Sequence, residues 1–180
     1  MYHMKIFVIR HGEADLNKAL ILQGQTEDAD LNEEGLAQAK TSIDIVPKDI
    51  TIIFSSPLKR TKQTTEIIAQ YIGKKIIYRD ELREKHYGSL SGKTRDEGMK
   101  ITGHTTMDLN LGLDLTEYGG ESVEKIKIRT KRLLEDIKRD YSQEVPLIVT
   151  HLGIIRFIHQ MLKGHELAEI ANASVHEFEI

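Results

Sequence analysis

Three polar clusters in this chain each follow a short apolar run. Arg10-His11-Gly12-Glu13 closes the run Lys5–Arg10. Ser55-Ser56-Pro57 closes Ile50–Phe54 and is trailed by Lys59-Arg60. Thr150-His151 closes Leu147–Thr150 and leads into Leu152-Gly153. These residue types suit a tetrahedral dianion. An arginine fork makes paired hydrogen bonds to phosphate oxygens and stays charged at any working pH. A neutral imidazole attacks phosphorus and divides one hard displacement into two easier ones. Adjacent positive charge lowers a histidine's pKa and helps keep it neutral. Helix N-termini add backbone N–H donors and a positive dipole end. Gly12 and Gly153 read as places where backbone approaches a ligand closely. Each cluster alone is weak, because a single histidine after a strand is more often structural than catalytic. A metal site is the other reading of paired histidines, but no pair stands at i, i+4 with a nearby carboxylate. The recurrence at three strand ends is what carries weight, since open α/β sheets bind ligands beyond the carboxyl ends of their strands.

The elements that must position these residues are legible in the hydrophobic pattern. Lys5–Arg10 (KIFVIR) and Leu147–Thr150 (LIVT) read as buried strands, as does Ile50–Phe54 (ITIIF). Ile76–Tyr78 is a weaker third strand, and Ser174–Ile180 alternates like an edge strand. Leu31–Val46 has helical spacing with Leu36, Ala39, Ile43 and Val46 on one side, and Asn32 as its N-cap. Pro57 suits the first turn of a helix running to about Tyr71. Glu121–Tyr141 and Ile154–Leu162 are further amphipathic helices. Strands alternating with helices predict a three-layer α/β/α sandwich with a mostly parallel central sheet.

The stretch from about 88 to 120 breaks this rhythm. It is rich in glycine and threonine, with one short helix predicted near Arg95–Ile101. A loop of this length is either a lid over a site or a mobile surface insertion. With no repeat or linker in view, residues 1–180 are expected to form one domain carrying that excursion.

Bulk composition narrows the function classes. The 180 residues are 39% apolar and 29% charged, an ordinary globular balance. A net charge of -3 gives no basic excess for nucleic acid, yet permits a small anionic substrate bound by a local cluster of cations. The absence of cysteine excludes disulfides, thiolate metal sites and cysteine nucleophiles. No apolar run approaches the roughly 20 residues that span a bilayer, and Met1–Val8 is too short and mixed for a signal peptide. No membrane partner and a cytoplasmic setting are therefore expected.

The chain also resembles the histidine phosphatase superfamily, the group that contains cofactor-dependent phosphoglycerate mutase. The resemblance rests on Arg10-His11-Gly12-Glu13 with Asn17, on Gln23-Gly24, on Leu31 to Gly35 with Gln38-Ala39, and on Ser55 to Thr61 with Gln63-Thr64. It continues in Leu82-Arg83-Glu84, Tyr87-Gly88, Gly92, Gly119 to Ser122 and Thr150-His151. It implies a phosphoglycerate mutase-like fold and a set of roles. His11 would be the nucleophile that becomes phosphohistidine. Arg10, Arg60 and His151 would hold the transferring phosphoryl group, with a hydrogen bond from Asn17. Glu84 would protonate the leaving alkoxide and then activate water. Gln23, Gly24 and Tyr87 would contact substrate, and Arg95 falls where the mutase branch carries a lysine. Neither a metal nor a cofactor is implied. Before the resemblance, Glu84 was one carboxylate in a charged stretch. The chain departs from the family pattern at Leu152, between His151 and Gly153, which puts the local backbone donor in question.

The expected activity is hydrolysis of small phosphomonoesters. The leading alternative is a phosphoglycerate mutase, which Glu84-Lys85-His86-Tyr87-Gly88 resembles more closely. A phosphate-binding protein with little activity would be expected to lack His11 or Glu84. A phosphatase acting on protein phosphohistidine is another possibility, though such relatives tend to lack the long excursion. Against the mutase, no Lys or Arg lies between Lys100 and Lys125, and His104 is the one candidate cation there.

Overall fold

The computed structural model describes residues 3–105, 113–164 and 169–180. Its core is a five-stranded sheet in the order β3-β2-β4-β1-β5, formed by β1 (Lys5–Arg10), β2 (Ile52–Ser55), β3 (Ile76–Tyr78), β4 (Pro146–Thr150) and β5 (Val175–Glu179). The first four are parallel, and β5 pairs antiparallel with β1 at the edge. The three strands that end in the polar clusters are thus neighbours. Arg10 is in register with Thr150, and Ser55 with Val149. The ladder runs one residue further, with His11 N–H donating to Thr150 C=O (3.1 Å) and Ser56 N–H to Val149 C=O (3.0 Å).

Alternation along β1 assigns the two faces. Ile6 and Val8 pack with α5 (Val123–Asp140) and α6 (Leu152–Lys163), through Ile126, Leu133, Ile137, Ile155 and Phe157. Phe7 and Ile9 face the other way, toward Val46, Ile50 and Ile68, the last on α3 (Lys59–Ile72). Helix α2 (Glu33–Thr41) lies against α3. Three layers result, as expected from the period-2 strands and period-3.6 helices.

Several boundaries differ from the sequence reading. A four-residue helix, α1 (Asp15–Lys18), was not anticipated. The helix predicted over 31–46 ends at Thr41 and tightens into a 3₁₀ turn at Ser42–Asp44, where the Ser42 hydroxyl donates back to Ala39 C=O. Its buried residues are Gly35 and Ala39, whereas Leu36 is exposed. Asn32 does cap α2, accepting from Gly35 N–H at 2.8 Å. Pro57 precedes α3 instead of entering its first turn, because Leu58 is the extended N-cap. Glu121 lies outside α5, and α6 begins two residues earlier than predicted, with His151 as its N-cap.

The excursion contains α4 (Arg95–Thr102), started by a reciprocal cap between Thr94 and Glu97, while 106–112 lie outside the described residues. Leu22, Leu90, Leu113 and Leu115 form a separate small core beneath it, with Tyr87, Met99 and Tyr118 packed against them. Backbone bonds tie the excursion to the segment after α1: Leu22 N–H to Lys93 C=O, Gly92 N–H to Leu22 C=O, and Arg95 N–H to Leu20 C=O (2.8, 3.0 and 3.0 Å).

Candidate active site

His11 follows the last residue of β1 and is 2% exposed. Its Nδ1 lies 2.7 Å from Gly12 C=O. A carbonyl only accepts, so Nδ1 carries the proton and Nε2 keeps a lone pair. Arg60 Nε–H donates to that Nε2 at 3.3 Å. Burial first, then the charges of Arg60 and Arg10, hold the His11 imidazole well below its ordinary pKa, so the ring stays neutral at working pH. His151 stands beside it, ring centroids 5.1 Å apart and edge to face. It is fully buried, and its Nε2 lies 2.9 Å from Ser56 Oγ. Burial, Arg60 and His11 depress its pKa in the same direction.

Two arginines come with the histidine pair. Arg60, in the first turn of α3, is 1% exposed. Its NH2 donates to Gly24 C=O at 2.9 Å, Asp28 lies 3.8 Å from NH1, and NH1 makes no hydrogen bond among the described residues. Arg10 NH1 donates to Ile170 C=O at 2.6 Å. Gly24 turns with φ +56°, and a Cβ there would stand 2.7 Å from Lys85 C=O.

Glu84 is held from three directions. Its carboxylate accepts from Lys85 N–H (3.0 Å) and from Gly153 N–H in the first turn of α6 (3.2 Å). Its backbone carbonyl accepts from Gln25 Nε2 (2.8 Å) and Arg129 NH2 (3.4 Å). Arg129 also donates to Glu81 C=O and forks onto buried Glu121 at 2.7 and 3.1 Å. Glu121 closes the loop by accepting from His86 N–H and donating its own N–H to His86 C=O. The Arg129–Glu121 pair therefore braces the turn that carries Glu84. Neither residue was singled out for such a role from sequence, because their meaning depends on a contact across 45 residues.

Gly12 and Gly153 are both points of close approach within the protein itself. A Cβ on Gly12 would lie 2.4 Å from Gly35 C=O, so Gly12 permits the close approach of α2. A Cβ on Gly153 would lie 2.4 Å from Glu84 Oε1, so Gly153 makes room for the carboxylate. Its N–H, in question because of Leu152, is bonded to Glu84.

One cavity gathers most of the candidate residues. Arg10, His11, Asn17, Gln23, Gly24 and Arg60 line it together with Glu84, Tyr87 and Arg95. Asn17 Oδ1 also accepts from Ala14 N–H (3.1 Å), so α1 is a cap that presents this side chain. Gln23 is buried, and its Oε1 makes no hydrogen bond among the described residues. Ile21, Leu22, Leu152, Gly153 and Arg156 complete the wall. Arg156 was not picked out from sequence, yet it lies i+4 from Leu152, a spacing that puts both on one face of α6. Among the described residues, no three His, Asp or Glu side chains converge as a metal site would require, and no helix is long and apolar enough to cross a membrane.

A neutral imidazole flanked by arginines, with a carboxyl group in the same cavity at the strand ends of a mostly parallel sheet, defines an α/β phosphoryl-transfer site. The family comparison agrees: the pattern of the histidine phosphatase superfamily (branch 1) matches residues 6–180, and the chain belongs to that superfamily. It is 32% identical over 190 residues to "Phosphoglycerate mutase-like protein 4" of Arabidopsis thaliana, covering 99% of this chain and 80% of that protein. It is 33% identical over 177 residues to the "Metal-independent phosphoserine phosphatase" of the same plant, covering 95% and 74%. The crystal structure of phosphoglycerate mutase from Bacillus anthracis str. Sterne superposes with a TM-score of 0.83 at 25% identity, covering 99% of this chain and 88% of that one.

Proposed function

We propose that the protein is a metal-independent phosphatase that hydrolyses small phosphomonoesters through a phosphohistidine on His11. The observation that carries this reading is the tautomer of His11. With Nδ1–H committed to Gly12 C=O, the Nε2 lone pair is presented beside Arg60. In the first step Nε2 attacks phosphorus, the P–O bond to the leaving group breaks, and the Glu84 carboxyl gives its proton to the departing alkoxide. In the second, Glu84 takes a proton from water, the hydroxide attacks phosphorus, and the P–N bond breaks to return His11 and inorganic phosphate. Arg60 Nε–H releases His11 Nε2 as it attacks, and Arg10 and Arg60 then stabilise charge on the phosphoryl oxygens. The relatives named as phosphoserine phosphatases support hydrolysis.

The mutase reading draws on the mutase-like relative names. Against it stands the lack of Lys or Arg between Lys100 and Lys125, where that branch carries adjacent arginines.

The test is a screen of phosphomonoesters with trapping of the intermediate. Wild type should retain acid-labile, base-stable label, and His11→Ala should lose turnover by at least about 10⁴-fold with its circular dichroism unchanged. Chelators should leave the rate unaltered. Undiminished turnover in His11→Ala rules the mechanism out. Rapid interconversion of 3- and 2-phosphoglycerate with negligible phosphate release would favour the mutase.

A further inference from the structure

Helix α3 carries Arg60 in its first turn but has no side-chain cap of its own, because Leu58 stands at the N-cap position. The opening N–H of the helix is satisfied from another segment: Lys59 N–H donates to Asp28 Oδ1 at 2.7 Å. A helix start leaves N–H groups without partners and gathers the positive end of the dipole, and a carboxylate answers both. The same oxygen of Asp28 lies 3.8 Å from Arg60 NH1. That arm makes no hydrogen bond among the described residues, so its contact with Asp28 is ionic. Segment 24–31 is strapped to the first two turns of α3 at three further points. Gly24 C=O accepts from Arg60 NH2 (2.9 Å), Asp30 Oδ1 accepts from Gln63 Nε2 (3.1 Å), and Leu31 N–H donates to Gln63 Oε1 (2.7 Å). Asp28 therefore touches both the backbone that aims Arg60 and the guanidinium itself. Burial is the largest influence on that guanidinium and lowers its pKa, while the charges of Glu84 and then Asp28 oppose the fall.

We propose that Asp28 is a positioning residue for Arg60: its carboxylate caps α3 from outside the helix and pairs with the NH1 arm until a phosphoryl oxygen takes that place. The inference rests on the phosphatase reading of the same cavity and deepens it. Two consequences follow, and they are opposed in sign. The cap fixes the first turn of α3, so Arg60 meets the transition state without searching for its geometry. The negative charge competes with phosphate for NH1, so it weakens the hold on inorganic phosphate and speeds release of that product. Asp28 itself touches no reacting atom. An asparagine in its place keeps the acceptor for Lys59 N–H and drops the charge, whereas an alanine drops both, so the two consequences are separable.

The experiment uses the full chain and three variants: Asp28→Asn, Asp28→Ala and, as a control on the same strap, Asp30→Asn, since Asp30 bonds Gln63. Inorganic phosphate is the probe, read by calorimetry and as a competitive inhibitor of p-nitrophenyl phosphate hydrolysis. Asp28→Asn should bind phosphate roughly 3- to 10-fold more tightly than wild type, the scale of a charge pair with one buried member. Asp28→Ala should lose about 10- to 100-fold in kcat, and Asp28→Asn should recover most of that loss, because asparagine is an equally good cap. Asp30→Asn should leave phosphate affinity where it was. If Asp28→Ala fails to fold, the phosphate affinity of Asp28→Asn still reports. A merely structural Asp28 would lower the melting temperature and leave phosphate affinity unmoved, so unchanged affinity in Asp28→Asn overturns the proposal. Equal tightening in Asp30→Asn would mean general relief of anionic repulsion and overturns it too, as do equal kcat values in Asp28→Asn and Asp28→Ala. Calorimetry needs no turnover, which separates this test from the activity itself. If no ester is hydrolysed but Asp28→Asn alone tightens phosphate, the phosphatase reading falls and the Asp28 contact stands. If esters are hydrolysed and both Asp28 variants match wild type, the role of Asp28 falls and the phosphatase reading stands.

Discussion

Arg60 and Arg95 present the same chemical group to the same cavity but are secured differently. Arg60 is 1% exposed, bonded to His11 and to Gly24 C=O, and rooted in a helix that packs on the sheet. Arg95 is partly exposed and rides on α4, supported by four leucines and a short stretch of antiparallel backbone pairing. The contrast separates two demands. Charge stabilisation of a transition state needs donors that do not move when charge develops, and sheet ends supply them. A wall built on a separate small core can vary without disturbing the sheet.

The sharpest way to break this comparison is at Glu84, whose side chain is tied to the start of α6 through Gly153 while its backbone carbonyl is held by Gln25 and Arg129. Glu84→Gln should slow alkyl phosphates by about 10²–10⁴, the usual contribution of general acid–base catalysis. Aryl phosphates, whose leaving groups need little protonation, should lose far less. Equal losses on both would remove Glu84 from proton transfer. Next in size, Arg60→Ala should cost on the order of 10²–10³ in kcat, measured with an aryl ester so that leaving-group protonation does not mask it. A loss confined to KM would place Arg60 in ground-state binding instead.

A smaller effect tests whether the two regions are separately stable. Leu115→Ala removes a fully buried side chain from the leucine cluster, a loss of about 2–5 kcal/mol for such truncations. Amide exchange over 86–95 should quicken while that of β1 and β4 holds, and KM should rise more than kcat falls. Faster exchange in all of these would show one cooperative unit.

The smallest effect is on stability against pH. His11 and His151 are both held below the ordinary imidazole pKa, first by burial. In the unfolded chain they take up protons near pH 6.5, whereas the folded protein resists doing so. The unfolded state therefore binds more protons as pH falls, and stability declines from about pH 6.5 downward toward the depressed native values. The slope is at most about 1.4 kcal/mol per pH unit for each histidine. Urea denaturation between pH 7 and 5 measures it, and a rise in stability over that range would contradict the buried neutral pair. The same depression places the acid limb of kcat/KM below the usual imidazole range.

Much of this arrangement was legible in the sequence, for identifiable reasons. β1 and β4 are dense in β-branched residues, and burial on both faces makes such runs easy to read. His11, Arg60 and His151 announce themselves because each follows a strand or opens a helix. Helix α1 escaped notice because four residues show no period. Glu84 was legible only through the family resemblance, since its place is set by Gln25, Arg129 and Gly153, three segments far apart in the chain. At Gly12 and Gly153 the residue type signals that space is tight, and the protein groups that come close, Gly35 and Glu84, belong to other segments. Arg156 was in plain view at i+4 from Leu152, but an arginine in an amphipathic helix reads as a solvated face until the cavity is known.

The strand order has a consequence for how the molecule comes into being. β4 lies between β2 and β1, yet it begins at Pro146, after β1, β2 and β3 have all been made. Until it arrives, β1 and β2 have no common neighbour, and His11 and Arg60 have no sheet to hold them in register. Synthesis at the ribosome therefore yields a late, all-at-once assembly: the insertion of one five-residue strand closes contacts spanning some 140 positions, the kind of high contact order that slows folding. Before that moment two parallel edges stand open to foreign strands, so the nascent chain is most vulnerable to aggregation just short of the residues that complete its catalytic centre.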